Sequence, residues 1–299
     1  MVLKTLRGID YKGKLSRSWK ITKLTFHVMK ADKELIIYPI LAIIFSLVFI
    51  VAMLFPTILV ALFKGAGVPA FGVLQYFLLF VMYLGLAFIS TFFNFCVVYT
   101  AKRRFANGDA TFGETIKYAF SKIHLIFMWS LVVAIVGVIL RALEAAARKA
   151  KGAGKVLFMI LRGVLSLAWN IVTLFVIPAM VYDDATPIDA IKKSIQVLKK
   201  TWGESLTKYI GLNVVQGLIN MVIIIPVVIF AVLAFFTGQI IPALIVIAIG
   251  VFLVIFVTII FGIANSIFDA ALYEYASTGK IPSIYTKEML DNAFKNKKE

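Results

Sequence analysis

Six long apolar runs constrain the fold of this chain more than any other feature. A transmembrane helix needs about 20 consecutive apolar residues, and only helices or closed barrels can cross a bilayer. The composition agrees, since 62% of the residues are hydrophobic and the mean hydropathy is +0.97. The sequence therefore predicts an all-α, polytopic integral membrane protein with six transmembrane helices. The runs are Leu35–Phe63, Phe71–Thr100, Ile123–Leu140, Val164–Tyr182, Tyr209–Phe236 and Ile240–Ala276.

The basic residues concentrate on one side of these spans. Of the 31 Lys and Arg residues, 24 lie in the leader, in the links after spans two and four, and in the tail, whereas seven lie on the other side. Because cytoplasmic segments carry an excess of Lys and Arg, we expect a multi-pass protein of the cell membrane with both termini in the cytoplasm. Anionic lipid head groups explain the net charge of +16, so nucleic acid is not an expected partner.

The segment Arg141–Lys155, between spans three and four, is strongly basic although it falls on the predicted outer side. We expect a helical extension of span three that ends at a hinge at Gly152–Gly154. Two interpretations stay open: a vestibule that attracts anions, or a solvated helix face that contacts lipid phosphates. The second is favoured.

The tripeptide Asp-Ala-Thr occurs twice, in GDATF and in DDATP, each time before a segment of helical periodicity. Thr111 is followed three residues later by Glu114, and Thr186 by Asp189. This spacing of a hydroxyl and a carboxylate is that of a capping box, in which both side chains bond the backbone of the first helical turn. The tripeptide therefore predicts two helix starts.

Both predicted helices are amphipathic, with apolar residues at steps of three and four. Such helices lie in the plane of the membrane interface, with basic faces toward anionic lipid. The apolar face of the first helix comprises Phe112, Ile116, Phe120 and Ile123. The apolar face of the second comprises Ile188, Ile191, Ile195, Leu198 and Trp202. The basic residues of the second helix that are predicted to face lipid are Lys192, Lys193, Lys199 and Lys200.

Each helix start precedes a pair of spans, and the leader precedes the first pair in the same way. The predicted architecture is a single transmembrane domain of three repeated units, each an amphipathic interfacial helix followed by a transmembrane hairpin. Its parts are a basic cytoplasmic leader with an amphipathic helix (1–34), hairpins at 35–100, 123–182 and 209–276, interfacial helices at 109–122 and 186–204, and a cytoplasmic tail (277–299).

Polar residues recur inside the apolar runs. Asn94, Asn170 and Asn265 each precede the end of an even-numbered span by a similar distance, which predicts a matched depth near the bilayer midplane. Two interpretations stay open: the lining of a path or binding site, or hydrogen bonds between helices. The candidate lining residues are Asn94, Asn170, Asn213, Gln216, Asn220, Asn265 and Asp269.

No pattern of a familiar catalytic, metal or cofactor site occurs in the sequence. His27 and His124 are far apart, and Cys96 is the one cysteine. We therefore expect a protein that is not an enzyme and has no metal site and no cofactor. A homo-oligomer is a further hypothesis, because the short spans three and four could need neighbours.

Three stretches carry a resemblance to a known family: Ala168–Glu204, Glu34–Ile40 and Phe93–Phe120. They resemble a family of six-span prokaryotic membrane proteins classified as a domain of unknown function. The resemblance implies the six-span fold and assigns no functional residue.

A more remote similarity rests on the spacing of Pro178, Asp183, Ser194 and Leu198. This spacing is similar to that in the membrane domain attached to some glycerophosphodiester phosphodiesterases. The chain has no phosphodiesterase domain, so that activity is not implied.

Two hypotheses for function follow from the sequence. The first is binding or passage of a small solute, ion or lipid along the polar faces of the helix bundle. The second is a non-catalytic membrane-organising or accessory scaffold, whose amphipathic helices bind the lipid surface or a partner. The recurrence of polar residues in every repeat slightly favours the first.

Overall fold

The computed structural model describes residues 25, 26, 29, 32–64, 73–202, 210–283, 285 and 290. Within them every regular element is a helix, which confirms the predicted all-α class. The helices are α1 (Glu34–Lys64), α2 (Val73–Phe105), α3 (Phe112–Ser121), α4 (Ile123–Lys149), α5 (Ala153–Val172), α6 (Val176–Asp183), α7 (Pro187–Trp202), α8 (Ile210–Phe236) and α9 (Ile240–Thr278).

Some predicted parts lie outside the described residues. These are most of the leader and of the tail, residues 65–72 of the first hairpin with the first two residues of span two, the last two residues of the second interfacial helix, 203–204, and the first residue of the third hairpin, 209. The predicted amphipathic helix of the leader therefore stays a prediction.

Six stretches of the described chain are long and apolar enough to cross a membrane, which confirms the predicted number of spans. As expected from the sequence, the helix of span three extends into the basic segment, since α4 continues to Lys149. A turn at Gly152, whose φ is 56°, then leads into α5, so this segment is the helical tip of the second hairpin. The six spans are Glu34–Phe55, Phe77–Phe105, Ile123–Lys149, Ala153–Asp183, Val215–Phe236 and Ile240–Thr278.

The fourth span is not one continuous helix, because α5 and α6 are separated by a turn over residues 173–175. Pro178 explains the break: it has no backbone N–H to bond the Leu174 carbonyl, and its ring crowds that carbonyl. The Phe175 N–H instead donates to Ser194 Oγ on α7 at 3.2 Å. The turn is therefore held by a side chain of a neighbouring helix.

The buried residues gather at the end of the bundle where α3 and α7 lie. On α2 they run from Thr91 to Phe105, and on α9 most of them lie between Phe261 and Ala276. Toward the opposite end few residues are buried, among them Ala147 of α4 and Ala243 of α9, and none of the 20 residues of α5 is buried. The protein core thus lies toward one membrane surface, and apolar side chains that suit lipid surround the rest.

The three even-numbered spans end in the same backbone conformation. Each is followed by a residue in the left-handed region, where Asn, Asp and Gly are the favoured residue types. An internal repeat would produce such matching helix ends. The repeat itself remains a prediction. The three residues are Asn107 (φ 57°), Asp184 (φ 51°) and Gly279 (φ 73°), which follow Asn94, Asn170 and Asn265 by 13, 14 and 14 residues.

Candidate functional site

Both helix starts have a side-chain cap at the residues that the sequence indicates. At α3 the Thr111 hydroxyl accepts the Glu114 N–H at 3.3 Å, and the Glu114 carboxylate accepts the Thr111 N–H at 3.0 Å. At α7 the Thr186 hydroxyl accepts the Asp189 N–H at 3.4 Å and donates to the Asp189 carboxylate at 2.7 Å. These hydrogen bonds stabilise the ionised carboxylates and lower the pKa of both Glu114 and Asp189.

The aspartates of the two tripeptides each meet a basic residue. Asp109 lies 3.1 Å from the Arg104 guanidinium, which also contacts Asp32 at 3.2 Å. Asp184 lies 2.8 Å from the Lys122 ammonium, between α3 and α4. In each tripeptide the threonine therefore caps the start of a helix, and the aspartate forms an ion pair that connects this start to a neighbouring helix.

A compact group of polar side chains joins α2, α6 and α9 where these helices end. The Lys102 ammonium donates to the Val181 carbonyl at 3.0 Å and lies 5.0 Å from the centre of the Tyr182 ring. The Tyr182 hydroxyl donates to the Glu274 carboxylate at 3.2 Å. This group, with two further members described next, is called the polar joint; its members are Lys102, Tyr182, Asp183, Tyr273 and Glu274.

Asp183 connects the polar joint to α7. Its carboxylate accepts the Tyr273 hydroxyl at 2.7 Å and contacts the Lys193 ammonium at 2.6 Å. Tyr118 of α3 donates to the Val181 carbonyl at 3.3 Å, and burial raises the pKa of Tyr118. Since the ammonium groups of Lys102 and Lys193 have protein partners, the geometry is that of a connection between helices and not of an open anion site.

Helices α3 and α7 bury small residues against the bundle and leave larger apolar residues outside. Phe120 is 57% exposed and Ile188 is 63% exposed. The predicted apolar stripe of α7 therefore coincides only in part with the face that contacts the protein: Leu198 is buried and Ile191 packs against the core, whereas Ile188 is exposed. The small residues that the two helices bury at equivalent positions are Thr115 and Ala119 of α3 and Ala190 and Ser194 of α7.

The four lysines predicted to face lipid differ in their surroundings. Lys193 contacts the polar joint, and the Lys200 ammonium lies 3.4 Å from a backbone carbonyl of α9. Lys192 and Lys199 are exposed, although the Lys192 ammonium also lies 3.2 Å from the Asp189 carboxylate. Two of the four are thus engaged with other helices.

Two pairs of polar residues connect α8 and α9. The Asn265 amide donates to the Asn213 amide oxygen at 3.1 Å, and the Gln216 amide donates to the Thr258 hydroxyl at 3.4 Å. Such bonds stabilise helix association in membranes by about 0.6 kcal/mol each on average. For these predicted lining residues, hydrogen bonding between helices is the interpretation that the geometry favours.

The Asn213–Asn265 pair lies near the start of α8. Asn213 is the fourth residue of this helix, which runs from Ile210 to Phe236. Asn265 of α9 therefore meets α8 far from the turn that joins the two helices. The midplane depth expected from spacing remains a prediction.

The other predicted lining residues are scattered over four helices. Asn170 is exposed on α5, while Asn94 and Asn220 are partly buried, and within the described chain their amide oxygens have no hydrogen-bond partner. Asp269 is partly buried on α9. Burial raises the pKa of Tyr285, and the charge of Asp269 raises it further, so this carboxylate lies close to the C-terminal segment.

An apolar groove of about 290 Å³ lies between α8 and α9 near mid-span. Gly250 lets the two helices approach closely, because a Cβ atom there would lie 2.5 Å from Val227 Cγ2. Pro226 removes one backbone hydrogen bond of α8 beside this contact. None of the predicted lining residues contributes to the groove, whose walls are Ile224, Val227, Ile247, Gly250, Val251, Val254 and Ile255.

No group of three or more His, Cys, Asp and Glu side chains among the described residues is arranged to hold a metal ion. Cys96 is buried in the core on α2. For the whole chain, the absence of a metal site remains a prediction.

Six apolar helices, with a core toward one membrane surface, define a multi-pass α-helical membrane protein. The chain belongs to a family of unknown function (DUF6159), whose model matches residues 73–283, from α2 to just beyond the end of α9. No curated protein and no solved structure matches it. The remote similarity to the membrane domain of glycerophosphodiester phosphodiesterases therefore gains no support.

The interruption of span four and the polar joint were not predicted, although residues of both belong to the Pro178, Asp183, Ser194 and Leu198 spacing. Pro178 breaks the helix, Asp183 belongs to the joint, and Ser194 holds the turn. Leu198 is buried in the core. The sequence signal for these two features was a proline within an apolar run that ends in two adjacent acidic residues.

Proposed function

We propose that the protein is a lipid-binding membrane protein that holds an acyl chain in the groove between α8 and α9. The observation that carries this proposal is the wall of the groove, which consists of seven apolar residues. At mid-span the surrounding medium is hydrocarbon, and an apolar cavity of this kind stays dry. A hydrocarbon chain is therefore the ligand whose chemistry fits.

The placement of the polar residues favours a lipid over an ion or a polar solute. A polar solute needs polar partners through the hydrocarbon region, because desolvation there is costly. Asn213 and Asn265 already bond each other near the start of α8, and neither lines the groove. Deeper in the same hairpin, around Val227 and Gly250, the groove is apolar.

The distribution of charge supports an orientation for this role. Basic residues are more numerous on the side that carries the leader, α3, α7 and the tail. By the positive-inside rule, that side faces the cytoplasm of a cell membrane. The core would then lie toward the cytoplasmic surface, and the groove would lie deeper in the bilayer.

A second candidate is a non-catalytic organising role at the membrane surface. It rests on the exposed apolar residues of the two interfacial helices, Phe120 on α3 and Ile188 on α7. An amphipathic helix in the interface plane inserts such residues below the head groups. This role needs no ligand in the groove.

Native mass spectrometry of the full chain, released from detergent micelles of defined lipid content, tests the proposal. Ile255 lines the groove and is 50% exposed, whereas Ile249 is 54% exposed on the same helix and does not line it. Ile255→Trp fills the groove, and Ile249→Trp is the matched control. We expect the unmodified protein and the control to retain one lipid, and Ile255→Trp to lose at least half of that occupancy.

Equal retention by the two tryptophan variants would contradict the proposal. If both retained lipid while Phe120→Ser together with Ile188→Ser abolished binding of the protein to lipid surfaces, the organising role would be favoured instead. Helix content and thermal unfolding of each variant establish that it is folded.

A further inference from the structure

The tip of the second hairpin has a dense positive charge that the proposed groove does not use. Between residues 141 and 162 it carries six basic residues and one acidic residue, a net charge of +5. The single acid, Glu144, lies on α4. The basic residues are Arg141, Arg148, Lys149, Lys151, Lys155 and Arg162.

Three arginines converge on the carboxylate of Glu144. The Arg148 guanidinium lies 2.8 Å away, that of Arg141 3.4 Å away, and that of Arg162, which reaches across from α5, 3.5 Å away. One negative charge is thus shared by three positive charges. Each arginine side chain remains about half exposed, at 49%, 56% and 49% for Arg141, Arg148 and Arg162.

The shared carboxylate holds guanidinium groups that would otherwise repel one another. A guanidinium has five N–H donors, and three of them together offer far more donors than one carboxylate accepts. The unused donors on the exposed sides match the geometry of a phosphate group, which arginine binds in a bidentate manner. The cluster is therefore built to take a second anion beside Glu144.

The position of the cluster along α4 points to lipid. Arg141 lies 18 residues beyond Ile123, where α4 begins, which corresponds to about 27 Å at 1.5 Å per residue. This length is close to the hydrocarbon thickness of about 30 Å. Nearby, Ile139 is 45% exposed and Val164 is 62% exposed. The arginines thus lie at phosphate level, with apolar surface at acyl-chain level beside them.

We propose that Arg141, Arg148 and Arg162, held together by Glu144, bind the phosphate group of an anionic phospholipid. This site is on the second hairpin and is separate from the groove of the third. Its signature is selectivity for the head group, which an apolar groove does not provide. The proposed acyl-chain groove and the proposed phosphate site can therefore be disproved independently of each other.

Lipid titration of the full chain in detergent micelles, read by native mass spectrometry, tests this site. The probes are phosphatidylglycerol and, with the same acyl chains, phosphatidylcholine. Arg148→Gln and Arg162→Gln remove members of the cluster, whereas Lys149→Gln and Lys155→Gln remove the same charge from the same tip outside it. We expect the apparent affinity for phosphatidylglycerol to fall about tenfold in the arginine variants and less than about twofold in the lysine variants.

Arg162→Lys separates a folding defect from a binding defect, because it keeps the charge and loses the bidentate geometry. It should bind phosphatidylglycerol more weakly than the unmodified protein at unchanged thermal stability. Equal losses in the lysine and arginine variants, or equal binding of the two lipids, would overturn the proposal. Displacement of phosphatidylglycerol by inorganic phosphate at equal concentration would assign the site to free phosphate and would overturn the assignment to lipid.

Discussion

The side-chain amide of Asn265 donates a hydrogen bond to the amide oxygen of Asn213 at 3.1 Å, across the two helices of the third hairpin. Both residues are candidates for a polar lining from sequence alone, yet here each is the partner of the other. Their bond connects α8 and α9 near the start of α8. Farther along α8, around Val227, the same two helices form an apolar groove.

Replacing either asparagine of this pair with Leu leaves the other amide without its partner. We expect each single substitution to lower the free energy of unfolding by about 0.6 to 1.7 kcal/mol. The double variant Asn213→Leu/Asn265→Leu should lose less than the two singles together, because no polar group is then left unsatisfied. Reversible unfolding in mixed micelles measures the three values, and strictly additive losses would contradict the pairing.

Replacing Thr111 with Ala removes the hydroxyl that caps α3. We expect a loss of about 1 kcal/mol in the free energy of unfolding, the usual effect of losing such a cap. Thr237→Ala is the control, since the Thr237 hydroxyl donates to carbonyls of α8, the helix that precedes it. A loss as large in the control would show that the measurement does not report capping.

The stabilisation by Glu114 should depend on pH. Hydrogen bonds from the Thr111 backbone and side chain lower the pKa of Glu114 in the folded protein. Its contribution is therefore complete above the pKa of the unfolded chain, about 4.3, and is lost as pH falls through the lower folded pKa. The difference in thermal stability between the protein and Glu114→Gln should be constant near pH 7 and shrink below about pH 4. A difference that grows on acidification would contradict the capping role.

Replacing Ser194 with Ala removes the acceptor of the Phe175 N–H in the turn that interrupts span four. The N–H is buried, so we expect a loss of about 1 to 3 kcal/mol in the free energy of unfolding. Ser266→Ala is the matched control, because the Ser266 hydroxyl bonds a carbonyl of its own helix. Equal effects of the two substitutions would mean that Ser194 does not hold the turn.

The sequence predicts the number of spans and the two helix starts because both depend on local patterns. Hydrophobic length alone identifies a span, and the spacing of Thr111 and Glu114 alone identifies a cap. The polar joint could not be predicted in the same way. Tyr182 and Glu274 meet across 92 residues of sequence, and nothing local in either segment indicates the partner.

The depth of the polar residues remains a prediction for a related reason. Spacing within a helix gives the separation of two residues along its axis, but it does not place that axis in the bilayer. For Asn265 the structure adds a partner, Asn213, near the start of a separate helix. The level of a residue in a helix longer than the hydrocarbon is set by tertiary contacts.

The accessibility of nitroxide labels on the third hairpin tests the central claim, that lipid and not water fills the space beside α8 and α9 at mid-span. Labels are attached at Asn220→Cys and Val254→Cys in a Cys96→Ala background, with Lys151→Cys as the exposed control. Collision with oxygen reports hydrocarbon, and collision with a water-soluble nickel complex reports water. We predict high oxygen and low nickel accessibility at positions 220 and 254, and the reverse at 151. Nickel accessibility at 220 and 254 close to that at 151 would contradict the account and indicate an aqueous path.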